Sequence, residues 1–304
     1  MSTFCRRNKI IQLFQRDAHI CSTNFLLSFF SILHYENYYF TRGKSSDKIC
    51  ATPQRRQLIR GTTTMSVTLN CDMGESFGLY RLGDDAGLMP LIDAANVACG
   101  FHASDPDHMR TTVLRAKEHG VKVGAHPSLP DLQGFGRREM KMSRQEIANS
   151  VIYQVGALLG FLKAENMPLN HIKPHGSLYN MAARQEEVAQ GICDAAEVFG
   201  VPVFGMTGTL HESIYPQRGI RFIPEFYADL DYTPAGALIV TREHPAMDPE
   251  LMASRCVRAL TDKQGTATDG SLFPVGCETI CVHSDTPNAI DIAKAVRSAI
   301  APWH

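Results

Sequence analysis

The chain has 304 residues, is 44% hydrophobic and 20% charged, and carries a formal net charge of −1. That composition supplies a substantial core and excludes a disordered or low-complexity chain, and no uninterrupted apolar run reaches the roughly 18–20 residues of a membrane span. Nine cysteines at irregular spacings, with no CxxC pair, exclude a secreted disulfide framework and a zinc ribbon and favour a reducing, cytoplasmic setting.

The near-neutral total divides unevenly at Met65. Residues 1–64 hold 10 Lys+Arg against 3 Asp+Glu, and residues 65–304 hold 20 against 28. An acidic body excludes nucleic acid as a partner, because it cannot displace counterions from phosphates. The basic segment carries Arg6, Arg7, Lys9 and Arg16, an apolar run Phe25–Leu33 and an aromatic patch Tyr38–Phe40. A secretory signal is opposed by the long stretch before that run and by the lack of a small-x-small site after it. A basic, acid-poor segment with scattered Ser and Thr also suits a mitochondrial transit peptide. The third reading places the start at Met65, with 1–64 an extension and 65–304 the folded domain. The GKSS at Gly43–Ser46 is no P-loop, because Tyr38 stands where that pattern needs glycine.

From Met65 onward, short apolar segments alternate with helical patterns. Val67–Leu69, Asn96–Ala98, Val121–Val123, Asn170–Lys173, Val201–Phe204, Phe222–Pro224, Leu238–Val240 and Thr279–Val282 read as buried strands. Asp105-Pro106 opens a helix that stops at Gly120. Ser143 and Glu146 form a capping box ahead of Ile147, Val151, Val155, Leu158 and Leu162. Val188, Ile192, Ala195 and Phe199 repeat the spacing up to Gly200. Asp248-Pro249 and Thr286-Pro287 open two more helices. Seven or eight such units in about 240 residues predict an α/β fold, a (β/α) barrel, over a doubly wound sheet, which lacks its GxGxxG here.

The chemical groups follow the strands: Asn70, Asp72 and Glu75; His102 and Asp105; His126 and Asp131; Lys173 and His175; Glu225 and Asp229; His283 and Asp285. In a barrel these strand ends converge on one rim, where active sites are built. Asp105 and Asp285 serve equally well as helix N-caps, and Asp131, Arg137 and Arg138 as loop solubilisers. Two chemistries fit the rim. One is metal-assisted hydrolysis with Asp72, His102 and His126 as ligands. The other is metal-free acid–base work on an acyl group, with Lys173 stabilising an oxyanion. The loop Gly134-Phe135-Gly136-Arg137-Arg138 offers backbone N–H groups and two cations to an anion. Cys71 and Cys99 read as small buried hydrophobes.

The strings LNCDMGESFG (69–78), ANVACGFHASDP (95–106), GAHPSLPDLQGFGRREM (124–140), YQVGAL (153–158), IKPHGSLYN (172–180) and HSDTPNA (283–289) resemble the LamB/YcsF, or lactam-utilisation, family from about Ser66 to Ile300. The family's usual start matches Met65. The resemblance implies an irregular (β/α) barrel of the glycoside hydrolase/deacetylase type and ATP-dependent opening of the 5-oxoproline lactam to L-glutamate. It further implies partner subunits B and C, with ATP handled at the level of the complex; a divalent metal and a homo-oligomer are left open. By motif, Asp72, Glu75, His102, His126, Lys173, His175, Asp229 and His283 would form the catalytic pocket. Asn70, Asp105, Arg137, Arg138 and Glu225 would hold substrate or phosphate. Three positions depart from the family pattern: Ser104 in HASD for HAGD, Ser284 in HSD for HGD, and Leu230 in YADL for FADR. The competing functions are a metal-dependent deacetylase of a carbohydrate or small amide and a non-catalytic protein that binds the lactam within the complex.

Overall fold

The computed structural model describes residues 66–239 and 245–304. The expectations for residues 1–64, the GKSS string included, lie outside these residues.

Seven parallel strands close into a barrel. In chain order they are β1 (Thr68–Met73), β2 (Ala94–Ala98), β3 (Lys122–His126), β4 (Leu169–Ile172), β5 (Val203–Gly205), β6 (Phe222–Tyr227) and, after four short strands, β11 (Thr279–His283), which pairs with both β6 and β1. The register brings chemically unlike residues level: Asp72 stands beside His283 on one side and Asn96 on the other, and Ala98 beside His126. The barrel is irregular where β3 meets β4, with a register shift between Val123 and Ala125, and where β4 meets β5 through Ile172 and Val203.

Leu238–Val240 is not an eighth barrel strand. Leu238–Ile239 (β8) pairs antiparallel with Asp231–Tyr232 (β7) in a two-stranded ribbon, and Val240 lies outside the described residues. A second ribbon, Gln264–Thr266 (β9) with Leu272–Pro274 (β10), had no expected counterpart. Both lie between β6 and β11. A short apolar pair flanked by turns reads alike from sequence whether it joins a barrel or a ribbon.

Side chains alternate across each strand, so one set faces the surrounding helices and the other the barrel interior. Leu69, Cys71 and Met73 belong to the apolar core. Asn70, Asp72, Asn96, His171, Lys173, Glu225 and Thr279 form a buried polar column. Asn70 donates to Thr279 at 2.9 Å, Asn96 donates to Asn70 at 2.7 Å and to Asp72 at 2.8 Å, and His171 Nε2 meets Asn96 Oδ1 at 2.6 Å. Gly124 makes room for this column, because a Cβ there would fall 2.1 Å from His171 Nε2.

Helices start and stop where capping chemistry directs. Three are short: α1 (Asp85–Leu88), α4 (Gly176–Ala182) and α6 (Leu210–Gln217). α2 (Pro106–His119) is capped by Asp105, whose carboxylate accepts from Asp107 and His108, and ends at the left-handed Gly120. α3 (Arg144–Ala164) has the expected Ser143–Glu146 capping box. It is long and apolar enough by composition to cross a membrane, and its Ile147, Val151, Val155, Leu158 and Leu162 are buried in the core, with α3 packed on α5 (Glu186–Phe199). α7 (Pro249–Thr261) is capped by Asp248 as expected. Thr286-Pro287 does not open the last helix: α8 (Ala289–Ile300) begins after Asn288, because Thr286 donates its hydroxyl to Asp229 at 3.3 Å.

Ser104 adopts φ 74°, the left-handed region that favours glycine, with its N–H donating to Ser76 O at 3.0 Å. A side chain there costs about 1–2 kcal/mol, and glycine's extra chain entropy returns about 0.5–1 kcal/mol of that. Ser104→Gly therefore raises the unfolding free energy by about 0.5 kcal/mol. Paired denaturant titrations check this, and a destabilised variant contradicts it.

Candidate active site

The C-terminal ends of the strands surround a cleft lined by Asp72, Glu75, His126, Arg137, Lys173 and His175, together with Tyr179, Tyr227 and His283. A concave lining with several convergent polar groups suits a small-molecule site.

Lys173, one residue past β4, is 1% exposed and reaches into the polar column. Its ammonium donates to Asp72 Oδ1 at 2.9 Å and Cys281 Sγ at 3.0 Å, and lies 3.0 Å from Glu225 Oε1 and 5.0 Å above the Tyr227 ring. The approach to Glu225 is an ion pair without hydrogen-bond alignment, since that oxygen has no hydrogen-bond partner. Burial alone would lower the Lys173 pKa, but Asp72, Cys281 and Glu225 hold it well above its ordinary value. Burial alone would likewise raise Asp72, but His126 and Lys173 hold its carboxyl well below the usual range. The cation and the carboxylate each keep their charge because the other is there.

Glu75 is the opposite case. Burial first, and then the Asp72 charge, push its carboxyl well above the usual range, which favours the protonated acid. Its Oε1 lies 3.1 Å from His102 Nε2 and 3.5 Å from His175 Nδ1. His175 Nδ1 meets His126 Nε2 at 3.0 Å, and the His102 and His175 rings stack with centroids 3.8 Å apart.

On the far wall, Asp229 accepts from the His283 backbone N–H at 2.8 Å and holds its Nδ1 at 2.8 Å. Burial alone would lower the His283 pKa, but Asp229 raises it to about 9. The folded value exceeds the unfolded value of about 6.5, so this stabilisation is complete below about pH 6.5 and is lost as pH rises through about 9. Between those limits the wild type loses about 2–3 kcal/mol of unfolding free energy that His283→Gln does not lose. Denaturant titrations at pH 6 and pH 9 measure this, and equal pH dependence in the two proteins refutes it.

Several expected residues lie elsewhere. Asp105 is the α2 cap, accepting also from Gly78 N–H at 2.7 Å and pairing with His108 at 2.8 Å, and does not line the cleft. Arg138 pairs with buried Asp131 and leaves its side chain 55% exposed, away from the cleft. The Gly134–Arg138 loop is no anion cradle. The Gly134 and Arg138 N–H groups donate to the Asp131 carboxylate, Gly136 N–H to Asp131 O and Arg137 N–H to Gly134 O. Arg137 does reach the cleft, 3.1 Å from Asp285, which is thus an ion-pair partner and not a helix cap. Asn70 and Glu225 do not line the cleft, and each meets the Lys173 ammonium, at 3.5 Å and 3.0 Å.

The sequence reading groups Asp72, His102 and His126 as the ligands a metal would take, and the structure places His126 3.2 Å from Asp72. Among the described residues donor atoms converge in two groups, Glu75, His102, His126 and His175 in one and Asp72, Cys281 and His283 in the other. Asp72 Oδ1 is engaged by Lys173 and Asn96, while its Oδ2 is the atom that faces His126 Nε2. Contributors that escaped the sequence reading include Asn96, Cys281 and Tyr227. Each lay within or at the end of an apolar strand, where only the two-residue alternation with neighbouring polar positions would have marked it as inward-facing.

The LamB/YcsF family profile matches residues 67–302. The lactam utilization protein lamB of Emericella nidulans is 46% identical over 236 residues, which span 76% of this chain and 93% of that protein. The A subunit of 5-oxoprolinase from Thermus thermophilus is 44% identical over 241 residues, 78% of this chain and 96% of that protein. The crystal structure of the lactam utilization protein from Thermus thermophilus superposes with a TM-score of 0.72 at 42% identity, covering 78% of this chain and 97% of that one.

Proposed function

Because this chain belongs to the LamB/YcsF family, we propose that it is the lactam-binding, ring-opening component of a 5-oxoprolinase that works with partner subunits B and C. The observation that carries this reading is the buried Lys173–Asp72 pair at the base of the cleft. A lactam is a poor electrophile, since its nitrogen lone pair is shared with the carbonyl. Phosphorylation of the carbonyl oxygen by ATP converts that oxygen into a leaving group. One water then adds to the ring carbon and the C–N bond breaks, giving an acyl phosphate; a second water releases inorganic phosphate and L-glutamate. ATP and two waters are consumed, and ADP, phosphate and glutamate are formed.

Each charge in the cleft has a task in that sequence. Asp72, kept ionised by Lys173, accepts the proton of the attacking water. Lys173 stabilises the negative charge that develops on oxygen. His283, kept protonated by Asp229, supplies a proton to the departing ring nitrogen. Arg137 at the wall attracts the carboxylate or phosphate of the bound species. ATP delivery falls to the partners. A sequence without a P-loop pattern supports that division, as does a Thermus thermophilus relative that is one component of a multi-subunit enzyme.

The test is glutamate release from 5-oxoproline by the purified chain, with and without ATP and subunits B and C. Release that requires all components is expected. Turnover by B and C alone at the same rate would remove this chain from the chemistry.

A further inference from the structure

The cleft wall holds a hydrogen-bonding conflict. His126 Nδ1 lies 2.7 Å from the Lys173 carbonyl oxygen, and His175 Nε2 lies 2.8 Å from the Phe135 carbonyl oxygen. A carbonyl oxygen only accepts, so both nitrogens carry protons. In neutral rings the remaining nitrogens, His126 Nε2 and His175 Nδ1, are then lone pairs; they face each other at 3.0 Å, and His126 Nε2 also faces the acceptor Asp72 Oδ2 at 3.2 Å. Glu75 Oε1 stands 3.5 Å from His175 Nδ1 and 3.1 Å from His102 Nε2. These four atoms of Glu75, His102, His126 and His175 lie within 4.8 Å of one another and belong to buried side chains.

An excess proton is a poor resolution for all three rings together. His102 stacks flat on His175, with an interplanar angle of 9°, so two imidazolium ions there would repel at close range in a site shielded from water. His102 Nδ1 has no hydrogen-bond partner among the described residues. Among the described residues, Glu75 Oε1 is the hydrogen-bonding partner of its Nε2.

We propose that Glu75 Oε1, His102 Nε2, His126 Nε2 and His175 Nδ1 bind one divalent transition-metal ion of the zinc class. Ligands about 2.0–2.1 Å from a tetrahedral ion stand about 3.4 Å apart, and the three separations of 3.0, 3.1 and 3.5 Å bracket that spacing. The carbonyl oxygens behind His126 and His175 are the outer partners that fix the tautomer of a metal-bound imidazole. Three nitrogens and one carboxylate suit zinc, whereas calcium and magnesium take oxygen ligands. Glu75, His126 and His175 line the cleft, so an ion arriving from solvent reaches them. The site stands whatever the substrate proves to be.

The test uses the full chain, stripped by chelator and titrated with Zn²⁺ by calorimetry, with Co²⁺ absorption reporting the coordination geometry. One ion per chain and a tetrahedral cobalt spectrum are expected. Glu75→Gln and His175→Ala each weaken binding by more than about 100-fold, beyond the loss from an outer-partner change. His108→Ala, which alters a histidine outside the cleft, leaves it unchanged. Glu75→Gln preserves side-chain shape, so the comparison survives if His175→Ala does not fold. Substoichiometric zinc, or equal zinc affinity in Glu75→Gln and wild type, overturns the site. A chain that binds no zinc yet opens the lactam with its partners overturns this inference alone. A zinc-loaded chain without turnover overturns only the proposed function.

Discussion

Lys173→Met lowers stability by about 3–5 kcal/mol, because removing one member of a buried ion pair strands its partner. Here two carboxylates are stranded. Asp72 and Glu225 are 4% and 3% exposed, and each lies 3.0 Å or less from the Lys173 ammonium. Methionine fills most of the volume of the lysine stem, so the loss is one of charge and hydrogen bonding and not of packing. With the cation gone, Asp72 loses one of the partners that hold its carboxyl ionised as a base. Ring opening, assayed as glutamate release with subunits B and C and ATP, falls by about 10²–10³-fold on the scale of losing one oxyanion donor. Denaturant titration and the turnover assay are both needed. A stable variant with wild-type turnover would show that the ammonium neither balances the column nor assists the reaction.

Asp72→Asn separates those two roles. Asparagine has nearly the same shape and its Oδ1 still accepts from Lys173 and Asn96, so the fold survives with a loss of about 1–2 kcal/mol. An amide cannot take a proton from water, however, and turnover falls by about 10²–10⁴-fold, the usual contribution of a positioned base. The loss is expected in kcat, with KM little changed, because Asp72 acts on the attacking water and not on the bound ring. A folded Asp72→Asn protein that keeps its kcat would assign the base elsewhere.

The barrel was legible because each strand is a short apolar run with its polar groups placed just past its end. Asp72, His126, Lys173 and His283 follow that rule, and the closed sheet brings them to one rim. Asp105 obeys it too but lies outside the cleft, since a carboxylate ahead of Pro106 has orphan helix N–H groups to satisfy. The position of Arg138 depended on Asp131, a partner seven residues away whose burial no spacing reveals. The histidine grouping was illegible for a different reason. His102, His126 and His175 come from three separate strand ends, and only closure of the barrel decides which ring nitrogens face each other.

The segment between β6 and β11 spans residues 228–278 and builds two ribbons and α7 in place of another barrel strand. Two of its side chains, Leu230 and Leu238, nevertheless line the cleft. Asp72 and His283 are held on barrel strands and Lys173 directly follows one, whereas this stretch of wall belongs to an appendage that carries no barrel register. Natural drift can therefore retune what enters the cleft without disturbing the charges that the strands hold. Leu230, which lines the cleft from this appendage, is where such divergence between lineages has room to begin.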